Sequence, residues 1–248
     1  MLWYFVVSFL SEIIEGFAGF GSTAVALPFL ALFMDVGESV ALLGVNALVV
    51  AVLLTATQFK KVNWKEFLKI TLLVVPLLPV GVFAFGALSR YQSALKIALG
   101  LVITLVGLYY CYFGFVKKSE PRPLSKPLQI AALLCGAVVQ GMFSTGGALI
   151  TLYASERMRD KGEFRATMSA MWLAVNAVAI PLRAIFLHAY QKTVWIGAAK
   201  ALPFVIGGVL LGMLLHKKID NQGFRKAVYV ILLAGGVVST VYTLACSL

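Results

Sequence analysis

The sequence is poor in charge and in the residues that catalysis and redox chemistry use. Only 12% of its 248 residues are charged, and it contains 10 acidic residues, 2 histidines and 3 cysteines. It has no HExxH motif, no P-loop and no cluster of cysteine and histidine, so neither a membrane enzyme nor an ATP-driven pump is indicated. We therefore expect no metal and no cofactor. The cysteines Cys111, Cys135 and Cys246 all lie in apolar segments, which disfavours a disulfide framework.

Apolar residues are abundant instead, and they form long runs. Hydrophobic residues make up 61% of the chain, and the mean hydropathy is +0.94. This composition predicts an all-α integral membrane protein. The first ten residues lack the basic region of a cleavable signal, so we expect the first segment to stay in the mature protein. Six runs are long enough to cross a hydrocarbon core of about 30 Å, near 38–57, 66–88, 92–115, 165–188, 193–215 and 223–246.

Two further apolar runs, at about 2–34 and 127–154, are interrupted by glycine. As single straight helices they would be roughly 40–50 Å long, which is too long for one crossing. The interruptions read EGFAGFGS from Glu15 and QGMFSTGG from Gln140. Irregular backbone is tolerated at membrane depth only where it lines an enclosed cavity, and a pair of such breaks indicates a binding site near the bilayer midplane.

The breaks occupy matching places in two similar halves of the chain, which indicates a tandem duplication. The repeats are 1–116 and 127–248, joined by a charged, proline-containing cytoplasmic linker at 117–126, and together they form one transmembrane domain. The matched positions are Gly16 with Gly141, Gly21 with Gly146, Val45-Asn46-Ala47 with Val175-Asn176-Ala177, Pro76 with Pro203, and Gly81 with Gly208.

The net charge of +11 comes from basic loops between the apolar runs, which favours membrane topology over a nucleic-acid partner as its cause. If both broken runs cross the membrane, eight spans in parallel repeats divide the basic loops almost evenly between the two faces. If each broken run is instead a re-entrant helical hairpin followed by three spans, fifteen basic residues fall on one face and three on the other. The positive-inside rule favours the hairpins, which make the two halves inverted and place both termini outside the cytoplasm. The eight-span arrangement is the alternative.

A glycine-rich break near the N-terminus, a following span centred on asparagine, and a second break reading QGMFSTGG before a basic loop resemble the TauE/SafE sulfite exporter family over essentially the whole chain. The resemblance implies secondary transport, with export of a small sulfur-containing anion such as sulfite, an organosulfonate or thiosulfate across a bacterial inner membrane. The expected partners are that anion and the lipid bilayer, and a homo-oligomer is left open. A carboxylate carrier, a channel and a non-transporting assembly factor are the alternatives.

The residues themselves predict an anion site at the breaks. The helix after each break begins with unpaired amides and the positive end of its dipole, and two such ends meeting from opposite sides would hold an anion. Glycines there allow close approach, and hydroxyl and carboxamide groups donate hydrogen bonds. Alternatively, the glycines only permit helix packing and the polar groups bond within the protein. The predicted substrate-binding residues are Gly19, Gly21, Ser22, Thr23, Asn46, Ser144, Thr145, Gly146, Asn176 and Arg183.

One carboxyl group is a candidate for proton coupling. Glu15 lies next to the first break, and its counterpart in the second half is the neutral Gln140. An ionisable side chain at membrane depth indicates function by default. The alternative is a structural carboxyl that is hydrogen-bonded to backbone at the opposing hairpin tip. Glu12, one turn earlier, is expected closer to the membrane interface.

Overall fold

The structure is a computed structural model that describes residues 2–30, 33–87, 92–117 and 125–247. Every regular element in these residues is helical, and the linker predicted at 117–126 lies almost wholly outside them. The α-helices are, in order, α1 (Leu2–Ala18), α2 (Ser22–Leu30), α3 (Val36–Gln58), α4 (Trp64–Val74), α5 (Leu78–Ala87), α6 (Gln92–Cys111), α7 (Lys126–Phe143), α8 (Gly147–Arg157), α9 (Lys161–Leu187), α10 (Lys192–Lys218) and α11 (Asn221–Ser247).

Long apolar helices dominate the fold, as the hydropathy of the sequence predicts. A single turn of 3₁₀ helix at Val75–Leu77 joins α4 to α5, because Pro76 has no amide hydrogen with which to continue the α-helix. Large apolar side chains such as Leu72 and Ile185 point outwards, as they do on a surface that faces lipid. Five stretches of the described chain are long and apolar enough to cross a membrane, namely Val36–Lys61, Trp64–Phe85, Lys126–Phe143, Lys161–Leu187 and Lys192–Lys218.

The chain reverses direction at each glycine-containing break. The rings of Trp3 at the start of α1 and Phe33 after α2 stack with their centroids 5.6 Å apart, whereas a straight helix would separate them by about 45 Å. In the second broken run, a Cβ atom added to Gly136 of α7 would lie 3.0 Å from side-chain atoms of Leu149 and Ile150 in α8. The arms are unequal, with 17 and 9 residues in α1 and α2 and 18 and 11 in α7 and α8. The longer arm of the second run, α7, is by its length and composition one of the stretches that could cross a membrane.

The two halves of the chain pack into each other rather than side by side. Helix α1 lies against α10, and α7 lies against α5, while α3 pairs with α9 and α6 with α11. Glycine makes the first two contacts possible, because a Cβ atom on Gly208 would clash with the carbonyl oxygen of Phe9, and one on Gly81 with that of Val138. Gly16 and Gly141 fit against α10 and α5 in the same way. The matched glycines thus meet the opposite half of the chain.

Several basic loops lie at one end of the molecule. Asn63, before α4, donates a hydrogen bond from Nδ2 to Glu163 Oε1 at the start of α9, at 2.6 Å. Lys161 donates from Nζ to the carbonyl oxygen of His216 near the end of α10, at 2.9 Å. The loops before α4, α9 and α11 are therefore neighbours. At the other end of α9, the rings of Phe83 and Phe186 lie 4.9 Å apart.

Candidate anion site at the two breaks

The first break is a tight turn that only glycine accommodates. Gly19 and Gly21 have φ angles of 78° and 101°, a region that L-residues rarely adopt. The turn brings the backbone amide of Ser22, the first residue of α2, within 3.1 Å of Glu15 Oε2, which accepts its hydrogen bond. Glu15 therefore satisfies an amide at the start of α2 and places a carboxyl at the positive end of that helix. The structural interpretation of Glu15 predicted a backbone contact at the opposing tip, whereas the contact forms at its own hairpin tip.

Two side chains of α9 hold the first break in place. Arg165 donates from Nη1 to the carbonyl oxygen of Gly16 at 2.7 Å, and from Nε and Nη2 to Gln58 Oε1 at 3.0 and 2.8 Å. Trp172 donates from its indole nitrogen to the carbonyl oxygen of Gly19 at 2.9 Å. A carbonyl in the last turn of α1 and one in the turn that follows are thereby satisfied by a neighbouring helix.

The second break repeats this arrangement with different side chains. Gln140 Oε1 accepts a hydrogen bond from the amide of Gly146 at 3.0 Å, which matches the contact of Glu15. Ser144 takes the left-handed conformation, with φ of 56°, and ends α7. A Cβ atom on Gly146 would clash with the carbonyl oxygen of Gly136, so Gly146 serves the packing of α8 on α7 rather than the approach of a ligand.

Arg183 caps the end of α7. Its guanidinium donates to Ser144 Oγ and, at 3.0 and 2.9 Å, to the carbonyl oxygens of Gln140 and Gly141. The side chain is 2% exposed, so it is buried at the second break. No carboxylate pairs with it among these contacts, because all three acceptors are neutral. Within the described part of the chain, the second break therefore encloses a cation without a formal counter-charge.

Trp172, Asn176 and Arg183 are spaced to lie on one face of α9, and Trp172 touches both breaks. Besides its bond to the first break, the indole ring would lie 3.2 and 3.3 Å from a Cβ atom placed on Gly147 at the start of α8. Asn176 lies between Trp172 and Arg183 along that face of α9 and is 4% exposed. A buried carboxamide needs a polar partner, so this group is suited to a ligand.

A phenol from the loop after α9 completes the polar surroundings of Arg183. Tyr190 lies beside the guanidinium, which interacts with its buried hydroxyl, and that hydroxyl makes no further hydrogen bond among the described residues. Burial raises the pKa of Tyr190, and the neighbouring charge of Arg183 opposes that rise. Thr145 at the tip is only partly buried. Asn176, Arg183, Tyr190 and Thr145 are therefore the groups at this break that have donors to offer an anion.

Asn46 does not share this environment, although it matches Asn176 in sequence. Its Oδ1 accepts from the Tyr4 hydroxyl at 3.1 Å, and its Nδ2 donates to Ser8 Oγ at 3.2 Å. These are the interhelical bonds of the alternative interpretation, and they lie toward the start of α1, away from the break. Ser22 is buried and Thr23 is partly buried at the first tip.

Three residues near the breaks were missed from the sequence. Arg165 had been counted only as a loop cation, and Trp172 and Tyr190 had no signal beyond their residue type. Glu12 is buried at 1% exposure against Gly208 of α10, more deeply than Glu15 at 7%. Within the described chain no group of three histidine, cysteine or carboxylate side chains is placed to hold a metal ion.

Comparison with known proteins gives a consistent picture. The family model described as sulfite exporter TauE/SafE matches residues 4–239. A protein of Comamonas testosteroni named probable inner membrane transporter protein TsaS is 27% identical over 186 residues, which cover 72% of this chain and 72% of that protein. No solved structure matches the chain.

Proposed function

The chain belongs to the sulfite exporter TauE/SafE family, and we propose that it is a secondary transporter that exports a small sulfur-containing anion, such as sulfite, an organosulfonate or thiosulfate, across a bacterial inner membrane in a proton-coupled cycle. As a member of this family the chain is a multi-pass membrane transporter and not an enzyme. The name of the Comamonas relative supports the inner membrane as its location.

The charge difference between the two breaks carries the assignment of the site. At the first break Arg165 donates to the backbone and the anionic partner Glu15 already occupies the start of α2. At the second break Arg183 plays the corresponding part, but the group at the start of α8 is the neutral Gln140. Counting formal charges, the first break is neutral and the second carries one positive charge. We infer that the substrate anion binds at the second break.

The residues around that break divide the work of binding. Arg183 supplies the charge, and its position is fixed by the carbonyls at the end of α7. Asn176, Tyr190 and Thr145 donate hydrogen bonds to the oxygens of a sulfonate or sulfite, and the first amides of α8 add the favourable end of its dipole. Trp172 lies between this site and the first break, where it excludes water from one side. The two breaks therefore have different tasks in this proposal.

We also propose the inverted-repeat architecture, with each hairpin re-entrant. Two observations support it. The chain doubles back at each break, as the stacking of Trp3 on Phe33 indicates. Asn63 contacts Glu163, which brings together two basic loops that the eight-span arrangement assigns to opposite faces. With the basic end in the cytoplasm, α1 enters from the outside and α7 from the inside.

Transport by the purified protein in liposomes tests the function. Vesicles loaded with unlabelled sulfite, thiosulfate, taurine or a simple carboxylate are diluted into the same anion in labelled form. Accumulation of label in exchange for the unlabelled anion inside the vesicles identifies a carrier. Flux without counterflow indicates a channel. A preference for carboxylates would refute the assignment of a sulfur-containing substrate. Folded protein that transports no anion would refute the proposed transport of anions.

The site itself is tested by a matched pair of variants, Asn176→Ala and Asn46→Ala, which remove the same group from equivalent places in the two halves. Loss of a hydrogen bond to a charged ligand costs about 1.5–3 kcal/mol, so Asn176→Ala is expected to weaken substrate binding about 10-fold or more. Asn46→Ala loses bonds to Tyr4 and Ser8 and is expected to lower stability while leaving affinity near that of the parent. Equal affinities in both folded variants would contradict the placement.

A further inference from the structure

Helix α1 carries a buried polar face that the anion site does not use. Tyr4, Ser8, Glu12 and Glu15 recur at intervals of three and four residues, which places them along one side of the helix. All four are buried, with exposures of 1%, 0%, 1% and 7%. Asn46 of α3 joins the first two through its hydrogen bonds with the Tyr4 hydroxyl and Ser8 Oγ. The polar face therefore runs from the start of α1 to the first break.

The two carboxyl groups on this face differ in their partners. Glu15 accepts the hydrogen bond of the Ser22 amide. In contrast, Glu12 Oε2 is buried and has no hydrogen-bond partner in the described part of the chain. The second half has no carboxyl at either matched position, where Ala137 and Gln140 stand. Glu12 is thus a buried ionisable group, and the contacts of its Oε2 in the described chain give it no structural role.

Among the residues that the structure describes, the elements packed around Glu12 offer it no counter-charge. The titratable groups that face it are Glu15 and Tyr4 of its own helix. Helix α10 presents the backbone of Gly208 there, and α3 presents the non-ionising Asn46. The sequence of α2, STAVALPFL, contains no ionisable residue. On α10, His216 contacts the carbonyl oxygen of Phe17, beyond Glu12 toward the break. A charged carboxylate in such a place is costly, whereas a neutral carboxyl is tolerated.

We propose that Glu12, and not Glu15, binds the coupling proton of the transport cycle, and that the polar face of α1 with Asn46 connects it to the non-cytoplasmic end of the molecule. This inference rests on the proposed transport function. Hydronium delivers a proton to the Glu12 carboxylate and leaves water, and the reverse transfer to water on the other side returns the carboxylate. The proton site on α1 and the anion site at the second break are then separate, and Trp172 contacts both breaks between them.

The chain itself supplies the control for this assignment. Gln140 accepts from the Gly146 amide in the way that Glu15 accepts from Ser22, so a glutamine is sufficient for the capping role. Glu15→Gln is therefore expected to keep its hydrogen bond and to retain the response of transport to a pH gradient, even where the uncompensated charge of Arg165 changes the affinity for the anion. Glu12→Gln preserves size and removes the proton. We expect it to lose pH-driven net transport at least 10-fold while exchange of substrate for substrate continues.

The experiment compares parent, Glu12→Gln and Glu15→Gln in liposomes, with net transport under a pH gradient and exchange at equal pH measured on the same preparations. Infrared spectra of the same proteins supply a readout that does not depend on flux. The band of a protonated carboxyl is expected in the parent and in Glu15→Gln, and is expected to be absent from Glu12→Gln.

The outcomes separate the two proposals. Intact pH-driven transport in Glu12→Gln, with exchange present in the parent, overturns the Glu12 assignment and leaves the transporter standing. Selective loss of pH-driven transport in Glu15→Gln assigns the proton to Glu15 instead. Loss of exchange as well as pH-driven transport in a folded Glu12→Gln identifies a structural carboxyl and also overturns the assignment. A parent protein that exchanges no anion refutes the transport function, and the coupling role falls with it.

Discussion

Giving the second break the carboxylate that the first break has offers a direct test of why the anion binds at only one of them. Gln140→Glu places a carboxylate at the second break with almost no change in size. The new side chain keeps the acceptor for the Gly146 amide, which the parent glutamine oxygen meets at 3.0 Å. The second break then carries the same kind of charge as the first, so the net positive charge attributed to Arg183 is cancelled.

The size of the effect follows from Coulomb's law. An anion held by the first amides of α8 would lie about 6 Å from the new carboxylate, and at an effective dielectric constant of about 20 the repulsion is about 2.8 kcal/mol. Substrate affinity is therefore expected to fall about 100-fold. Because protonation neutralises the new carboxyl, the loss is expected to diminish as the pH of the assay is lowered.

The assay is equilibrium binding of sulfite or thiosulfate to the purified protein, followed by calorimetry or by the ligand-induced rise in thermal stability. Gln140→Met separates charge from hydrogen bonding, since it removes the acceptor without adding a charge, and its affinity should change far less than that of Gln140→Glu. A folded Gln140→Glu protein that binds the anion as tightly as the parent at neutral pH would refute the electrostatic argument and the placement of the site together.

Other contacts give further predictions. Trp172→Phe removes one buried hydrogen bond and is expected to cost about 1 kcal/mol, which would lower the thermal midpoint in detergent; an unchanged midpoint would argue against the bond. Gly208→Ala drives a Cβ atom into backbone and should abolish folded protein, whereas Gly207→Ala, which faces only a side chain, should accumulate normally. In a cysteine-free background, an impermeant thiol reagent added to whole cells should label Lys192→Cys and not Lys60→Cys; equal labelling would restore the eight-span arrangement, which puts both on one face.

Local features of the fold were predictable from the sequence because their causes are local. The apolar runs specified the helices. The glycine clusters marked the breaks within a few residues, because the positive φ angles of Gly19 and Gly21 strain any residue with a Cβ atom. The linker predicted at 117–126 falls mainly outside the described residues, which leave out 118–124. What the runs did not indicate was the inequality of the two arms of each hairpin, because hydropathy does not measure where a helix ends.

The partners of the site could not be predicted, because they come from the opposite half of the chain. Arg165 and Trp172 reach residues about 150 positions away, and nothing in their immediate sequence marks them. Asn46 and Asn176 share the context Val-Asn-Ala, yet only Asn46 hydrogen-bonds to side chains of α1. The difference was visible in the repeat itself, since the second-half counterpart of Ser8 is Leu133, which cannot accept a hydrogen bond. Comparing the side chains that face Asn46 and Asn176 in the two repeats would have been more informative than comparing the two asparagines themselves.

The glycine contact between α1 and α10 also sets the order of events during synthesis. Glu12 is enclosed only when Gly208 arrives beside it, and the ribosome must add about 200 residues between the two, which takes about 10–40 s at common elongation rates. Until then the first hairpin has two carboxyl groups and no complete partner surface. The emerging chain must therefore be sheltered, by the insertion machinery or by transient neighbours, for most of its translation. A nascent chain that stops before α10 exposes this hairpin to quality-control proteases, so the N-terminal half is not expected to accumulate in the membrane alone.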